Sequence, residues 1–304
     1  MKTVLSPKNL AQAIGISESS LKRWADDGQI RVMRTAGGHR RIAMEEAVRF
    51  IREIGIPLVQ PDALGLGELM GTCEELHATE SCAERLFLHL RAGTVEQARG
   101  LIISLYLAGH SVAAIADGPI RLAMQRLGEM WKHDSAGIFL EHRATEICVQ
   151  AVQHLGLLVQ QQAGDLAAVG GGAVRDPYLL PTLLAAIALK NEGVQAVNLG
   201  PNTPFEALHE AVLQHRPALV WLSVSHVEEP RKLEQDLSRF AGSLADAGVM
   251  FVLGGQALHK LHVVRGENIH IGQSMAELAA FAKGLRAAQA TRNCPSTPSE
   301  RARS

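Results

Sequence analysis

The sequence predicts a multidomain α and α/β protein: a small basic helical unit, then a helical bundle, then a doubly wound parallel sheet. Three observations predict it. From about residue 164 to 290, strand-like and helix-like runs alternate, the pattern of a parallel sheet with helices on both faces. The hundred residues before them carry amphipathic helical patterns and no convincing strand. Residues 1–55 hold ten Lys and Arg against six Asp and Glu, while the other 249 hold twenty against twenty-five, so a basic head precedes an acidic body. A chain of 304 residues has room for two or three cores.

The composition, 47 % hydrophobic and 20 % charged, excludes a largely disordered chain. No apolar run approaches the length of a membrane span, and MKTVLSPKNL has no core long enough for a secretory leader, so a cytoplasmic location is expected. Cys73, Cys82, Cys148 and Cys294 form no CxxC pair and read as reduced structural thiols.

In the head, Ser6-Pro7 starts a helix whose apolar face is Leu10, Ala13 and Ile14, and Gly15 stops it. Ser17 caps a second helix with Leu21 and Trp24 inward, ending at Gly28. Two short helices joined by a Gly-containing turn make a helix-turn-helix. Ile30–Val32 and Arg40–Ile42 around Gly37-Gly38 read as a two-stranded wing, and Met44–Ile54 as a third helix. The second helix offers Ser19, Ser20, Lys22 and Arg23, and the wing offers Arg31, Arg34, His39, Arg40 and Arg41. Cations and short hydroxyls on one face suit the phosphates and base edges of duplex DNA, and a solvated charged face is the bland alternative.

Residues 56–64 read as an extended, proline-marked linker. Helical patterns follow at Leu66–His89, Gly93–Ala108, from Ser111, from Asp117-Gly118-Pro119 to about Lys132, and from Ser135 to Gln162, giving a four-helix bundle over 65–163. Trp131, Glu141 and His142 could meet at one end and cap a flat ligand, or pack as core with a solvated ion pair. In the last unit, 164–290, strands are expected at Leu166–Gly170, Val194–Leu199, Leu219–Val224, Val249–Leu253 and Ile269–Ile271. Helices are expected at Tyr178–Gly193, Pro204–His215, Glu229–Ala247, Gln256–Leu261 and Ser274–Ala290. GGGAVRDPYLLP, Gly170–Pro181, reads as the first strand-to-helix turn, at the edge where such sheets bind ligands. It is not GxGxxG, and no acidic ribose partner follows, so a dinucleotide is weakly supported. Residues 291–304 read as a disordered tail.

SESSLKRWADDG and RTAGGHRRI resemble the winged helix-turn-helix of MerR-family transcription regulators. That resemblance implies a recognition helix at Ser17–Asp27, a wing on the DNA backbone and a double-stranded operator as partner. The long dimerisation helix usual after such a head is missing, so a homo-oligomer, dimer or tetramer, would form through the body or on DNA. The bundle and sheet are similar to the flavodoxin-like cobalamin-binding module of light-sensing MerR-type regulators of the CarH and LitR kind. The carrying residues are Trp131, nine residues, Glu141-His142; LGPNTP at 199–204; Ser223 and Ser225 after the third strand; and Gly254-Gly255 after the fourth. The resemblance implies that these serines and glycines contact the nucleotide tail.

The sequence departs from that pattern at the cobalt. In the resembled Asp-x-His-x-x-Gly turn, Asp176 remains, but Tyr178 stands for the cobalt-ligating histidine and Pro181 for the glycine. A phenol is a poor cobalt ligand. Lys132 follows Trp131 where light-sensing members have histidine, and His133 is turned roughly 100° from that place on a helix. Three readings stay open: a regulator holding cobalamin without a protein lower ligand; a cofactor-free regulator controlled by a partner protein or by amount; and a sensor of haem or a bilin, with Tyr178 or His142 in contact. No nucleophile and base converge in the sequence, so an enzyme is not expected.

Overall fold

A computed structural model describes residues 4–66, 79–130, 135–160, 166–263 and 266–293. The head runs β1 (Val4–Leu5), α1 (Pro7–Ala13), α2 (Glu18–Asp26), β2 (Met33–Arg34), β3 (Arg40–Ala43) and α3 (Met44–Ile54). The caps follow from local chemistry: Ser6 Oγ accepts the Asn9 N–H and Ser17 Oγ accepts the Ser20 N–H, both at 3.1 Å. Leu21 is fully buried, and Trp24 tilts against Phe50 with ring centroids 5.4 Å apart.

Two details differ from expectation. The hairpin's first strand is Met33–Arg34 rather than Ile30–Val32, because Ile30 is pulled into the core before the hairpin opens. Val4–Leu5 adds a third, antiparallel strand in the order β1-β3-β2, too short to show a period. The linker is not a free spacer. Val59 and Gln60 donate backbone N–H to the Ala13 carbonyl at 2.8 and 3.0 Å, Gln12 Nε2 donates to Gln60 Oε1 at 2.8 Å, and Pro61–Leu64 form a 3-10 turn with Leu64 buried.

The middle holds α4 (Thr79–Ala92), α5 (Val95–Leu107), α6 (Val112–Ile115), α7 (Arg121–Met130) and α8 (Ser135–Leu158). The helices expected from Ser111 and from Asp117 are joined by a π-helical turn at Ala116–Ile120, where Pro119 has no N–H to lose. One apolar core runs without a break from Leu5 in the head through the bundle to Ala188.

The sheet unit runs β4 (Ala167–Gly172), α9 (Leu179–Asn191), β5 (Gln195–Asn198), α10 (Phe205–His215), β6 (Leu219–Ser223), α11 (Pro230–Asp246), β7 (Met250–Gly254), β8 (Ile269–Ile271) and α12 (Met275–Asn293). All five strands are parallel in the order β5-β4-β6-β7-β8. Leu189 of α9 and Leu278 of α12 pack on one face, Leu208 of α10 and Phe240 of α11 on the other. Gln256–Leu261 makes only a short 3-10 turn, Leu258–Lys260, so β7 reaches β8 without a full helix. The expected tail from residue 294 on lies outside the described residues.

The triple glycine belongs to the strand, not to the turn. A Cβ on Gly170 would stand 2.2 Å from the Trp221 ring, and one on Gly171 2.4 Å from Thr203 Oγ1. Glycine there lets the buried indole lie flat on β4, where its Nε1 donates to Thr182 Oγ1 at 3.2 Å. The bundle is tied to the sheet by Asp117, whose two carboxylate oxygens accept the Met275 and Ala276 N–H groups, each at 2.8 Å, at the start of α12.

Candidate functional site

Two surfaces carry the predicted residues. On the head, Ser19, Lys22 and Arg23 are exposed one turn apart along α2, and Ser20 is half-buried with its hydroxyl 2.9 Å from Ser17 Oγ. Arg34 and His39 are exposed on the hairpin, and Arg40 and Arg41 are half-buried. An ion pair from Arg40 to Asp26 ties the hairpin to the last turn of α2 and brings both sets together.

These cations are not equally free. Lys22 is paired with Glu18 at 2.8 Å, Arg40 with Asp26, and Arg41 Nη1 reaches the Arg40 carbonyl at 3.5 Å. Arg23, Arg34 and His39 have no ion pair among the described residues. Arg31 is tied to Glu46 at 3.1 Å at the root of the hairpin. The sequence reading missed Glu46, which is 3 % exposed. Burial alone would raise its carboxyl pKa, but the Arg49 and Arg31 donors outweigh it and hold the group below the usual value of 4.5.

At the carboxyl end of the sheet, β4 and β6 are neighbours and their connections leave on opposite sides, the switch point at which open α/β sheets bind ligands. Asp176, fully buried, sits there. Its Oδ1 accepts the Tyr178 N–H at 3.1 Å, and its Oδ2 accepts the Ser225 N–H and, at 3.2 Å, the His226 N–H. Ser223 and Ser225 are buried with their hydroxyls 3.5 Å apart. Gly254 pairs with Ser223 across β6 and β7, and Gly255 lies against the Val224 backbone, which a Cβ would approach to 2.3 Å. Six predicted residues therefore meet at one edge: Asp176, Tyr178, Ser223, Ser225, Gly254 and Gly255.

The sequence did not announce the brace around them. Arg175 and Asn202 have left-handed φ of 64° and 48°, and Asn202 Oδ1 accepts the Arg175 N–H at 2.7 Å. Arg175 Nη1 donates to Glu228 at 3.3 Å and also to Glu229. An asparagine in LGPNTP was the one available hint, since Asn tolerates that conformation better than most residues.

Trp131 lies outside the described residues. Glu141 is half-buried and His142 exposed in the second turn of α8, and among the described residues no hydrogen bond or ion pair joins either to the sheet edge. Their neighbours Ile138 and Phe139 are exposed at 58 and 64 %, with Arg143 5.4 Å over the Phe139 ring. Cys82 and Cys148 are buried thiols, and burial pushes the Cys148 thiol up to about 12, an inert thiol. Among the described residues no three His, Cys, Asp or Glu side chains converge on a metal position, and no helix is long and apolar enough to cross a membrane.

The edge does not fit cobalt ligation by the protein. Both Asp176 oxygens are taken by backbone donors, and the ligand position holds a phenol that is 41 % exposed. Tyr178, at the start of α9, and Leu199, just past β5, are exposed at 41 and 37 %.

Bundle and sheet share their fold with a solved corrinoid protein. The structure of a monomethylamine corrinoid protein from Methanosarcina barkeri superposes with a TM-score of 0.50 at 18 % identity, covering 68 % of this chain and all of that one. A cobalamin-binding protein from Desulfitobacterium hafniense matches at a TM-score of 0.33 and 13 % identity, over 71 % of this chain and 98 % of that one. In sequence, the chain is 24 % identical over 290 residues to the HTH-type transcriptional repressor CarA of Myxococcus xanthus, covering 93 % of this chain and 97 % of that protein. No family model matches.

Proposed function

We propose that the chain is a DNA-binding transcriptional repressor, not an enzyme. Residues 1–55 act as a winged helix-turn-helix reader, and a bundle of 65–163 and a cobalamin-type sheet domain of 164–290 act as the sensory body. The carrying observation is the head's shared face, where Arg23, Arg34 and His39 have no ion pair among the described residues beside the hydroxyls of Ser19 and Ser20. Similarity to a repressor over nearly the whole chain supports the same reading.

A single head with few phosphate contacts binds weakly at physiological salt, and joining heads multiplies affinity through effective concentration. After α3 the chain folds back onto α1 instead of extending as a pairing helix, so the body is the oligomeriser. The test is binding of full-length protein to duplex DNA at rising salt. Binding at low ionic strength that falls steeply with salt supports the reading, and indifference to duplex DNA overturns it.

The ligand of the body is a cobalamin held without a protein bond to its cobalt. Bound, such a group would supply a flat, coloured surface and a redox-active, photolabile cobalt centre. The chain's part is to hold it: Ser223 and Ser225 supply hydroxyls, Tyr178 and Leu199 apolar contact, and Asp176 fixes the turn that carries Tyr178. Full-length protein incubated with adenosylcobalamin or methylcobalamin and then desalted should keep visible absorbance, with haem and biliverdin as controls, and Tyr178→His should keep more. Loss of all colour from both forms removes the ligand half and leaves the DNA half standing. The second reading, a regulator with no cofactor, is supported by Trp221, whose buried ring lies over Gly170 and bonds Thr182 of α9, so the protein's own atoms occupy that space.

A further inference from the structure

We propose that α3 is shared by head and body, and that Glu46 and Arg52 on it are positioning residues through which the bundle sets the pose of the DNA-reading hairpin. The proposal rests on the reading above for its consequence on DNA, while its geometry is independent of that reading.

Arg52 leaves the last turn of α3 and enters the end of α5. Its guanidinium lies 3.7 Å from the Tyr106 ring centroid, and Nη1 donates to the Tyr106 carbonyl and, at 3.0 Å, to the His110 carbonyl. The Tyr106 carbonyl, which also accepts the Gly109 N–H at 3.1 Å, stands at the partially negative end of α5. A cation of the head thus closes a helix of the body.

Glu46 is a second joint. Its carboxylate accepts the Arg31 N–H at 2.8 Å and Arg31 Nε at 3.1 Å, Arg49 Nε at 2.9 Å, and Gln160 Nε2 at 3.3 Å. A carboxylate this buried persists only with donors on its lone pairs. Those donors come from three pieces of chain: the root of the hairpin, α3 itself, and the segment just past α8. The hairpin and the end of a body helix are therefore bonded to the same two oxygens.

Ser19, Lys22 and Arg23 stay exposed while both joints are made, so a docked head can still meet a duplex. Behind the joints, α8 rests on α9, where Lys190 Nζ donates to the Gly156 carbonyl at 2.9 Å, and α9 starts at the Asp176–Tyr178 edge. A body change that shifts the end of α8 removes one donor from Glu46 and loosens Arg31, at the hairpin's root.

The test uses the full chain with Gln160→Ala, Glu46→Gln and Arg52→Gln, measuring backbone hydrogen exchange of residues 29–43 and 104–110, melting midpoint, and binding to a random-sequence duplex at low salt. Gln160→Ala, a change outside the head, should speed exchange in 29–43 roughly three- to tenfold with the midpoint unmoved. Arg52→Gln should speed exchange in 104–110. Unchanged hairpin exchange in Gln160→Ala, with acceleration in Glu46→Gln, overturns the proposal, because Glu46 then serves the head alone. If Arg52→Gln fails to fold, the Gln160→Ala result decides. Absence of duplex binding in every form, with exchange still coupled, defeats the DNA reading and leaves the joint intact.

Discussion

The cationic face of the head and the carboxyl edge of the sheet are both polar, and they use their charges in opposite ways. On the head, Arg23, Arg34 and His39 point to solvent without an ion pair among the described residues. At the sheet edge, the Asp176 carboxylate holds three backbone N–H groups and Arg175 sits between Glu228 and Glu229. A charge neutralised inside the protein shapes a loop and attracts little from outside, while an unpaired one contributes to the field felt by a polyanion. The head leaves cations open to solvent, while the edge ties its carboxylate to its own backbone.

If that contrast is right, cutting the inside of the sheet unit should cost far more stability than stripping the head. Trp221→Ala should have the largest effect, about 3–5 kcal/mol, because it empties the space over Gly170 and leaves Thr182 without its indole donor. Chemical denaturation checks it, and a loss under about 1 kcal/mol would mean that α9 collapses freely onto β4. Asp176→Ala comes next, at roughly 2–4 kcal/mol, since it strands the buried N–H of Ser225 and the half-buried N–H of His226. If thermal melting hardly moves, the three loops are held by the Arg175–Asn202 brace instead.

How much of this was legible depended on how far apart in sequence the partners lie. Ser6 and Ser17 were readable as caps because each bonds a backbone group three residues on. The alternation of strands and helices was readable because burial against a sheet imposes a local period. Glu46 was opaque: its donors Arg31 and Gln160 are 15 and 114 positions away, and an acidic residue in the first turn of a helix looks solvated. Gly170–Gly172 were mistaken for a turn because what they make room for, the Trp221 ring over Gly170 and Thr203 and Pro201 against the next two, lies on another strand and another loop. At the candidate site, Asp176, Ser223 and Ser225 were found by resemblance, whereas the left-handed Arg175 had no signature at all.

Glu46 bridges the two regimes, a charge of the head that is held as those of the sheet edge are. Glu46→Gln should cost about 1–3 kcal/mol at neutral pH. The sign of its pH dependence follows from the lowered carboxyl pKa: the native state favours the carboxylate, so its contribution is complete above the unfolded value near 4.5 and is lost as pH falls through the lower folded value. Stability of wild type and Glu46→Gln should therefore differ most above pH 5 and converge in acid. Parallel curves down to pH 3 would show that the Arg31 and Arg49 bonds do not depend on the charge.

The smallest effects should fall within the head, and they sharpen the contrast most finely. Arg34→Ala removes an exposed cation without a partner among the described residues, and should weaken duplex binding roughly three- to tenfold and flatten the salt slope by about 0.9. Lys22→Ala removes a cation already paired with Glu18 at 2.8 Å, so most of its field is cancelled before DNA arrives, and the loss should be about twofold or less. Folding stability should move by under about 0.5 kcal/mol in both, because neither side chain is buried. Equal losses of affinity from the two would show that pairing within the head does not grade its cations, and the distinction between recruited and neutralised charge would fail where it is simplest to measure.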